Sequence, residues 1–136
     1  MQTTASVLEL NNIEVFYNKS IQALRGLSLR VEQGQIVALL GSNGAGKSTT
    51  LKAISALLEL EDGELTDGRI SFAGKPISQK RPHELVRSGL FHVMEGRRVF
   101  EDLTVEENLV AATYALNGRQ GVKPNFDLVY EYFPRL

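Results

Sequence analysis

The feature that most constrains the fold of this chain is a glycine-rich motif, G-x-x-x-x-G-K-[ST], which runs from Gly41 to Ser48. Before it, Ile36–Leu40 is apolar without alternation, as is typical of a strand covered on both faces in a parallel sheet. The order of a strand, a glycine-rich loop and a helix indicates a loop that binds phosphate groups. The helix is indicated by apolar residues that recur at the spacing of one helix face, at Leu51, Ile54, Leu57 and Leu58.

The residue types of this loop suit a nucleoside triphosphate. Glycines let backbone N–H groups point inward at phosphate oxygens, and the following helix adds the positive end of its dipole. Lys47 supplies a positive charge to the β and γ phosphates, and the Ser48 hydroxyl is a hard oxygen ligand suited to Mg²⁺. The alternative is a glycine-rich turn with a solvated lysine. The candidate binding residues are Gly41, Ser42, Asn43, Gly44, Ala45, Gly46, Lys47 and Ser48.

A second motif bears on the identity of the base. A guanine site would also need the sequence Asn/Thr-Lys-x-Asp, and the segment Asn18–Ile21, which reads NKSI, fails at its last position. Adenine is therefore favoured, and we expect ATP and Mg²⁺ as the cofactors.

The composition indicates one domain with small-molecule or protein partners. The chain has 136 residues and no cysteine. Its formal net charge of -1 argues against a nucleic-acid binder and against a polybasic membrane-surface protein. Met1–Leu10 lacks the basic and apolar regions of a signal sequence, and no apolar run approaches the ~18 residues of a transmembrane helix. We therefore expect a soluble cytoplasmic chain.

Alternating apolar residues predict an antiparallel hairpin at the start of the chain. The first strand has an irregularity at Asn11 and Asn12, and Leu27–Val31 alternates as its partner. A short edge strand is expected at Ile70–Phe72 and another short strand at Leu90–Val93. The alternating residues of the first strand are Leu8, Leu10, Ile13, Val15 and Tyr17.

Three further helices are indicated by the residues at their ends. A helix is expected within Pro82–Gly89, since proline is well placed to start it and glycine to stop it. Thr104 and Glu107 form a capping box before a helix over about Val105–Leu116. A last short helix is expected within Pro124–Pro134.

The loop and its surroundings resemble a known family. From Gly41 to Thr49 the sequence GSNGAGKST resembles the ATP-binding subunits of ABC transporters, and the resemblance covers nearly the whole chain. It implies an α/β fold of the P-loop NTPase type with an antiparallel β subdomain, and it adds Thr49 to the nucleotide-binding residues. Tyr17 matches the aromatic residue that stacks on adenine in this family; alternatively, it is an ordinary strand residue with an exposed hydroxyl.

The resemblance also divides the chain. Residues 1–94 correspond to the N-terminal part of the nucleotide-binding core with its β subdomain. Residues 95–136 correspond to the Q-loop-equivalent region and the start of the helical subdomain.

Two later segments, Glu95–Phe100 and Leu103–Leu109, look like the subfamily that energises the import of branched-chain amino acids. Most ABC ATPases have a glutamine at the position of Glu95, where it links Mg²⁺ and the attacking water to the helical subdomain. The resemblance therefore gives Glu95, with Lys47, a catalytic role and, with Ser48, a role in binding the metal, since a carboxylate can reach Mg²⁺ directly or through water. The alternative is a solvated loop acid. Urea-type importers resemble this subfamily but usually keep the glutamine.

Several parts of the family pattern are not found in these residues. Tyr130–Leu136 matches the region before the family's signature sequence, and the signature, the Walker B strand and the switch histidine are not among the 136 residues. We expect the N-terminal portion of a domain of roughly 230–250 residues, which binds ATP but has negligible hydrolysis on its own. Ile36–Leu40 would then have an exposed edge, which self-association or a rearranged sheet should cover.

The resemblance implies partners as well. In a complete transporter these would be a second ATP-binding subunit and transmembrane permease subunits, which hold the protein at the inner face of the cell membrane. A chromosome-maintenance or DNA-repair ATPase is disfavoured, because the chain has neither a long heptad repeat nor a basic excess. A non-catalytic interaction fragment, for which Lys47 would not matter, is the alternative of another class.

Overall fold

The computed structural model describes residues 6–96, 98–115 and 122–136 of the chain. Contacts between residues divide the chain into two compact units, Met1–His92 and Val93–Leu136. Within the described ranges, no helix combines the length and the apolar composition that crossing a membrane requires.

An antiparallel sheet forms the first unit. Its strands are β1 (Ser6–Tyr17), β2 (Ile21–Glu32), β3 (Gly63–Phe72) and β4 (Lys75–Pro76), in the order β2-β1-β3-β4. The predicted hairpin of the first two strands is confirmed, because β1 pairs antiparallel with β2. The prediction of a short edge strand at Ile70–Phe72 is wrong. β3 has 10 residues and lies inside the sheet, because β1 and β4 bond to its two sides.

The turn between β1 and β2 is a tight hairpin. Asn18 and Lys19 have φ values of 49° and 57°, and the N–H of Ser20 donates to the Tyr17 carbonyl at 3.1 Å. Positive φ at both central residues is typical of a type I′ turn, whose twist matches that of the flanking strands. The turn fixes the position of Tyr17 at the end of β1.

The irregularity predicted at Asn11 and Asn12 is confirmed. Asn12 has a φ of 51°, and the pairing of β1 with β2 shifts register between Leu10 and Ile13. Extra residues in one strand change which face the following side chains occupy. As a result Leu10, Ile13 and Val15 all lie in the core, with exposed fractions of 2%, 0% and 0%.

Short helices complete the first unit. They are α1 (Lys47–Ile54), a turn of 3₁₀ helix (Leu58–Glu61) and α2 (Pro82–Arg87), which begins at the predicted proline. Of the predicted apolar face of α1, Ile54 is buried but Leu51 is half exposed, because Thr50 takes the core-facing position beside it. The buried apolar cluster consists of Leu10, Ile13, Val15, Leu24, Ile54, Leu58, Ile70, Ile77 and Leu85.

Two predicted strands are wrong. Neither Ile36–Leu40 nor Leu90–Val93 has strand structure, and the side chains of Ile36 and Leu40 are 100% and 88% exposed. A strand needs a neighbour that accepts and donates its ladder hydrogen bonds. No strand of the described sheet lies beside either segment. Of the two ways in which Ile36–Leu40 was expected to be covered, a rearranged sheet is not found among the described residues, and self-association stays a prediction.

Within its described residues, the second unit has two helices, α3 (Val105–Ala112) and α4 (Val122–Tyr132), with a 3₁₀ turn after α3. The predicted capping box is confirmed: Thr104 Oγ1 accepts from the N–H of Glu107 at 3.2 Å, and the Glu107 carboxylate accepts from the N–H of Thr104 at 2.8 Å. α3 ends earlier than predicted, and Leu116 lies outside the described residues. α4 begins two residues before Pro124.

The capping box makes the start of α3 sensitive to pH. The backbone N–H of Thr104, and secondarily its hydroxyl, hold the pKa of the Glu107 carboxyl below its ordinary value of 4.5. Because the pKa is lower in the folded state, this stabilisation is complete above pH 4.5 and is lost as the pH falls through the folded value. We expect hydrogen-exchange protection of the first turn of α3 to decrease on acidification. Glu107→Gln should remove most of this pH dependence, whereas Glu106→Gln should keep it; equal behaviour of the two variants would contradict the prediction.

Candidate nucleotide-binding site

The glycine-rich loop ends in the exposed start of α1. Its residues 41–46 have no helix or strand structure, and Gly46, with a φ of 91°, is the N-cap of α1. This cap provides no side-chain hydrogen bond, and the first turn of α1 contains no acidic residue. The first N–H groups of a helix have no partner within it, and they form the positive end of the helix dipole. The loop therefore leads into a site that suits a phosphate group.

Lys47 folds back over the loop. Its Nζ donates to the Ser42 carbonyl at 2.7 Å and also to the Gly41 carbonyl. The ammonium group is thus held at the loop itself. The Ser48 hydroxyl is in the first turn of α1 and its residue is exposed, so an oxygen ligand for Mg²⁺ is accessible beside this charge. The residues present fit a magnesium-bound triphosphate.

Tyr17 lies against the first turn of α1. Its hydroxyl is 3.2 Å from Thr49 Oγ1, and either oxygen can be the donor. One edge of the ring lies on Gly63, where an added Cβ would be 2.8 Å from Tyr17 Cε1. The end of β1 therefore brings the predicted aromatic residue to the first turn of α1, which follows the phosphate loop. The sequence did not identify Gly63, because the pair Asp62-Gly63 indicates only a turn.

Glu95 belongs to the second unit. It is exposed in a bend, and its backbone carbonyl accepts from Arg98 Nε at 3.3 Å. Among the described residues, no hydrogen bond or ion pair of the Glu95 carboxylate tests its role in binding the metal, which stays a prediction. Arg97, in the same Glu95–Phe100 segment, lies outside the described residues.

His92 has a partner that the sequence did not reveal. Its Nδ1 is 2.6 Å from the hydroxyl of Ser55, which directly follows α1. The same hydroxyl is 2.6 Å from the Leu51 carbonyl, to which it donates. The contact joins the Leu90–His92 segment to the end of α1. No sequence signal indicates such a pair, because the two residues are distant in the chain.

Comparison with known proteins gives related sequences. Residues 24–132 match the family described as ABC transporter. The chain is 36% identical over 130 residues to the high-affinity branched-chain amino acid transport ATP-binding protein BraG of Pseudomonas aeruginosa. The matched region covers 96% of this chain and 53% of BraG. It is also 35% identical over 111 residues to the galactose/methyl galactoside import ATP-binding protein MglA of Treponema denticola. That match covers 82% of this chain and 21% of MglA.

Solved structures agree with these relatives. The structure of an ATP-binding subunit of an ABC transporter has a TM-score of 0.68 and 32% identity, over 84% of this chain and 44% of that chain. The chain spans about half the length of BraG, since it covers 53% of that relative. The predicted α/β fold of the ABC type is confirmed by the structural likeness. The family match over most of the chain leads to one conclusion: this chain belongs to the ABC transporter family.

Proposed function

We propose that this chain is the ATP-binding portion of an ABC transporter subunit that energises the import of branched-chain amino acids. The observation that supports ATP binding best is the loop at the uncapped start of α1, with Lys47 Nζ held over it by the Ser42 carbonyl. The printed name of BraG supports the amino-acid substrate. MglA is a sugar importer of similar identity, so the choice of substrate rests on the likeness of Glu95–Phe100 to amino-acid importers.

Each proposed contact has a chemical reason. The N–H groups of the loop and of the first turn of α1 bind the phosphate oxygens, and Lys47 neutralises the β and γ phosphates. Ser48 would supply an oxygen ligand to Mg²⁺, and the resemblance assigns a ligand role to Glu95 as well. The ion, when bound, would neutralise charge on the phosphates. Tyr17 stacks on the adenine ring. These roles match the residue types, and the hydrogen-bond distance between Tyr17 and Thr49, in the first turn of α1, supports the proposal.

Hydrolysis and transport need more than these residues. Phosphoryl transfer to water requires a held metal, a positioned nucleophile and neutralisation of the developing charge. We propose that the 136-residue chain binds ATP without hydrolysing it, and that turnover occurs in a complete transporter with permease subunits and a second ATP-binding subunit. That assembly would place the protein at the inner face of the cell membrane.

Thermal unfolding with and without Mg-ATP tests the proposed site. A ligand at about 100 times its dissociation constant, binding only the folded state, adds about 2.7 kcal/mol of stability. We expect this stabilisation in the wild-type chain and its loss in Lys47→Ala, because the charge that faces the phosphates is removed. Lys75→Ala, which removes an exposed lysine in β4, is the matched control and should keep the stabilisation.

Two results would contradict the proposal. A cooperative transition that Mg-ATP does not shift would mean that the first unit folds without a working nucleotide site. Steady phosphate release that disappears in Lys47→Ala would mean that the chain hydrolyses ATP alone, against the second part of the proposal.

A further inference from the structure

The Tyr17 ring is held at two places. Its hydroxyl is within hydrogen-bond distance of Thr49 Oγ1, at 3.2 Å, and its Cε1 and Cδ1 atoms lie against Gly63. An added Cβ on Gly63 would be 2.8 Å from Cε1 and 3.1 Å from Cδ1, so only glycine leaves room for the ring here. The ring is half buried and packs against the core cluster. Its position is therefore set by β3 on one side and by α1 on the other.

Thr49 directly follows the phosphate motif, and its hydroxyl is within hydrogen-bond distance of the Tyr17 hydroxyl. It is 9% exposed, and a buried hydroxyl normally has a hydrogen-bond partner. Tyr17 provides that partner. Thr49 also lies two residues after Lys47, in the first turn of α1. The hydrogen bond thus links the strand that ends in the aromatic ring to the helix that begins at the phosphate loop.

We propose that Thr49 is a positioning residue for base recognition: its hydroxyl fixes the Tyr17 ring, and so the adenine platform, relative to the phosphate loop. This inference rests on the proposed ATP-binding function. A ring that is already held in its binding orientation loses less conformational freedom when a base stacks on it, so the complex is tighter. The hydrogen bond lies between two side chains and orients the ring, so its effect falls on a ligand that has a base. A direct contact of Thr49 with a phosphate would instead affect ligands with and without a base alike.

The test compares ATP with inorganic tripolyphosphate, a ligand that lacks the base. Both are titrated calorimetrically with Mg²⁺ into the chain and into Thr49→Val, which keeps the shape of the side chain and removes the hydroxyl. We expect ATP to bind roughly 2- to 10-fold more weakly to the variant, the range that a single hydrogen bond accounts for. The affinity for tripolyphosphate should fall by a clearly smaller factor than the affinity for ATP. Thr49→Ser, which keeps the hydroxyl, should restore ATP binding.

A second variant examines the other end of the hydrogen bond. Tyr17→Phe keeps the ring and removes its hydroxyl, so it should weaken ATP binding as much as Thr49→Val does and leave tripolyphosphate unaffected. In the double variant the two losses should not add, because both remove the same interaction. Tyr132→Phe, at a tyrosine that is 70% exposed in α4, is the matched control and should leave both affinities unchanged.

The outcomes separate this inference from the proposed function. If Thr49→Val weakens ATP and tripolyphosphate equally, Thr49 contacts phosphate and the inference is wrong. If Tyr17→Phe binds ATP as the wild-type chain does, the hydrogen bond has no role and the inference is again wrong; this variant decides the matter should Thr49→Val fail to fold. If the wild-type chain binds neither ligand, the proposed function fails, and the inference fails with it.

Discussion

Replacing Gly46 with alanine is expected to abolish the effect of Mg-ATP on thermal unfolding and to destabilise the first unit by about 2–5 kcal/mol. Gly46 has a φ of 91°, where a side chain is strained. An added Cβ would also lie 2.6 Å from Leu24 Cδ2 and 3.2 Å from the Ala23 carbonyl oxygen. Leu24 is only 5% exposed and has little room to move. The clash would push the start of α1 away from β2 and distort the loop that binds phosphate.

Gly34→Ala is the matched control for this prediction, because Gly34 lies outside the phosphate loop. Gly34 has a similar φ of 80°, but nothing lies within 4 Å of a Cβ added there. The control therefore has the cost of the backbone conformation, about 1–2 kcal/mol, without the clash against β2. Denaturant midpoints of the two variants, measured with and without Mg-ATP, give the comparison. If both variants lost the same stability and the same response to Mg-ATP, the contact between Gly46 and Leu24 would not support the loop.

The features that the sequence predicts correctly depend on residues close together in the chain. The hairpin turn follows from Asn18 and Lys19, which adopt positive φ, and the start of α3 follows from Thr104 and Glu107. The phosphate motif is likewise contained in a short segment, Gly41–Ser48. In each case a few neighbouring residues decide the local geometry.

The features that the sequence does not predict depend on distant parts of the chain. Ile36–Leu40 has the composition of a buried strand, but composition does not provide the neighbouring strand that its hydrogen bonds need. The contacts of Tyr17 with Thr49 and Gly63 are invisible for the same reason, since β1, α1 and β3 meet only in the folded unit. Which residues bind phosphate could thus be predicted, whereas the way the aromatic ring is held could not.

The second large effect is a loss of stability expected from Ile13→Ala. Its contrast with Ile36→Ala tests whether the Ile36–Leu40 segment, predicted as a buried strand, is exposed. Ile13 is 0% exposed in the core beside the β1 irregularity, so its truncation should leave a cavity and reduce stability by about 2–5 kcal/mol. Ile36 is 100% exposed, and the same truncation there should change stability by less than about 0.5 kcal/mol. Denaturant unfolding of both variants, with unchanged slopes, measures the two losses on one scale.

A large loss in Ile36→Ala would mean that Ile36 is buried in solution. The predicted self-association through this segment would be one cause, and it would make the unfolding midpoint rise with protein concentration, since association stabilises by mass action. A dilution series of the wild-type chain distinguishes burial of Ile36 by self-association from burial within a single chain. A concentration-independent midpoint with a near-zero effect of Ile36→Ala is the result expected from the exposed Ile36–Leu40 segment. If Ile36→Ala lost as much stability as Ile13→Ala, Ile36 would be buried, as the apolar sequence predicts.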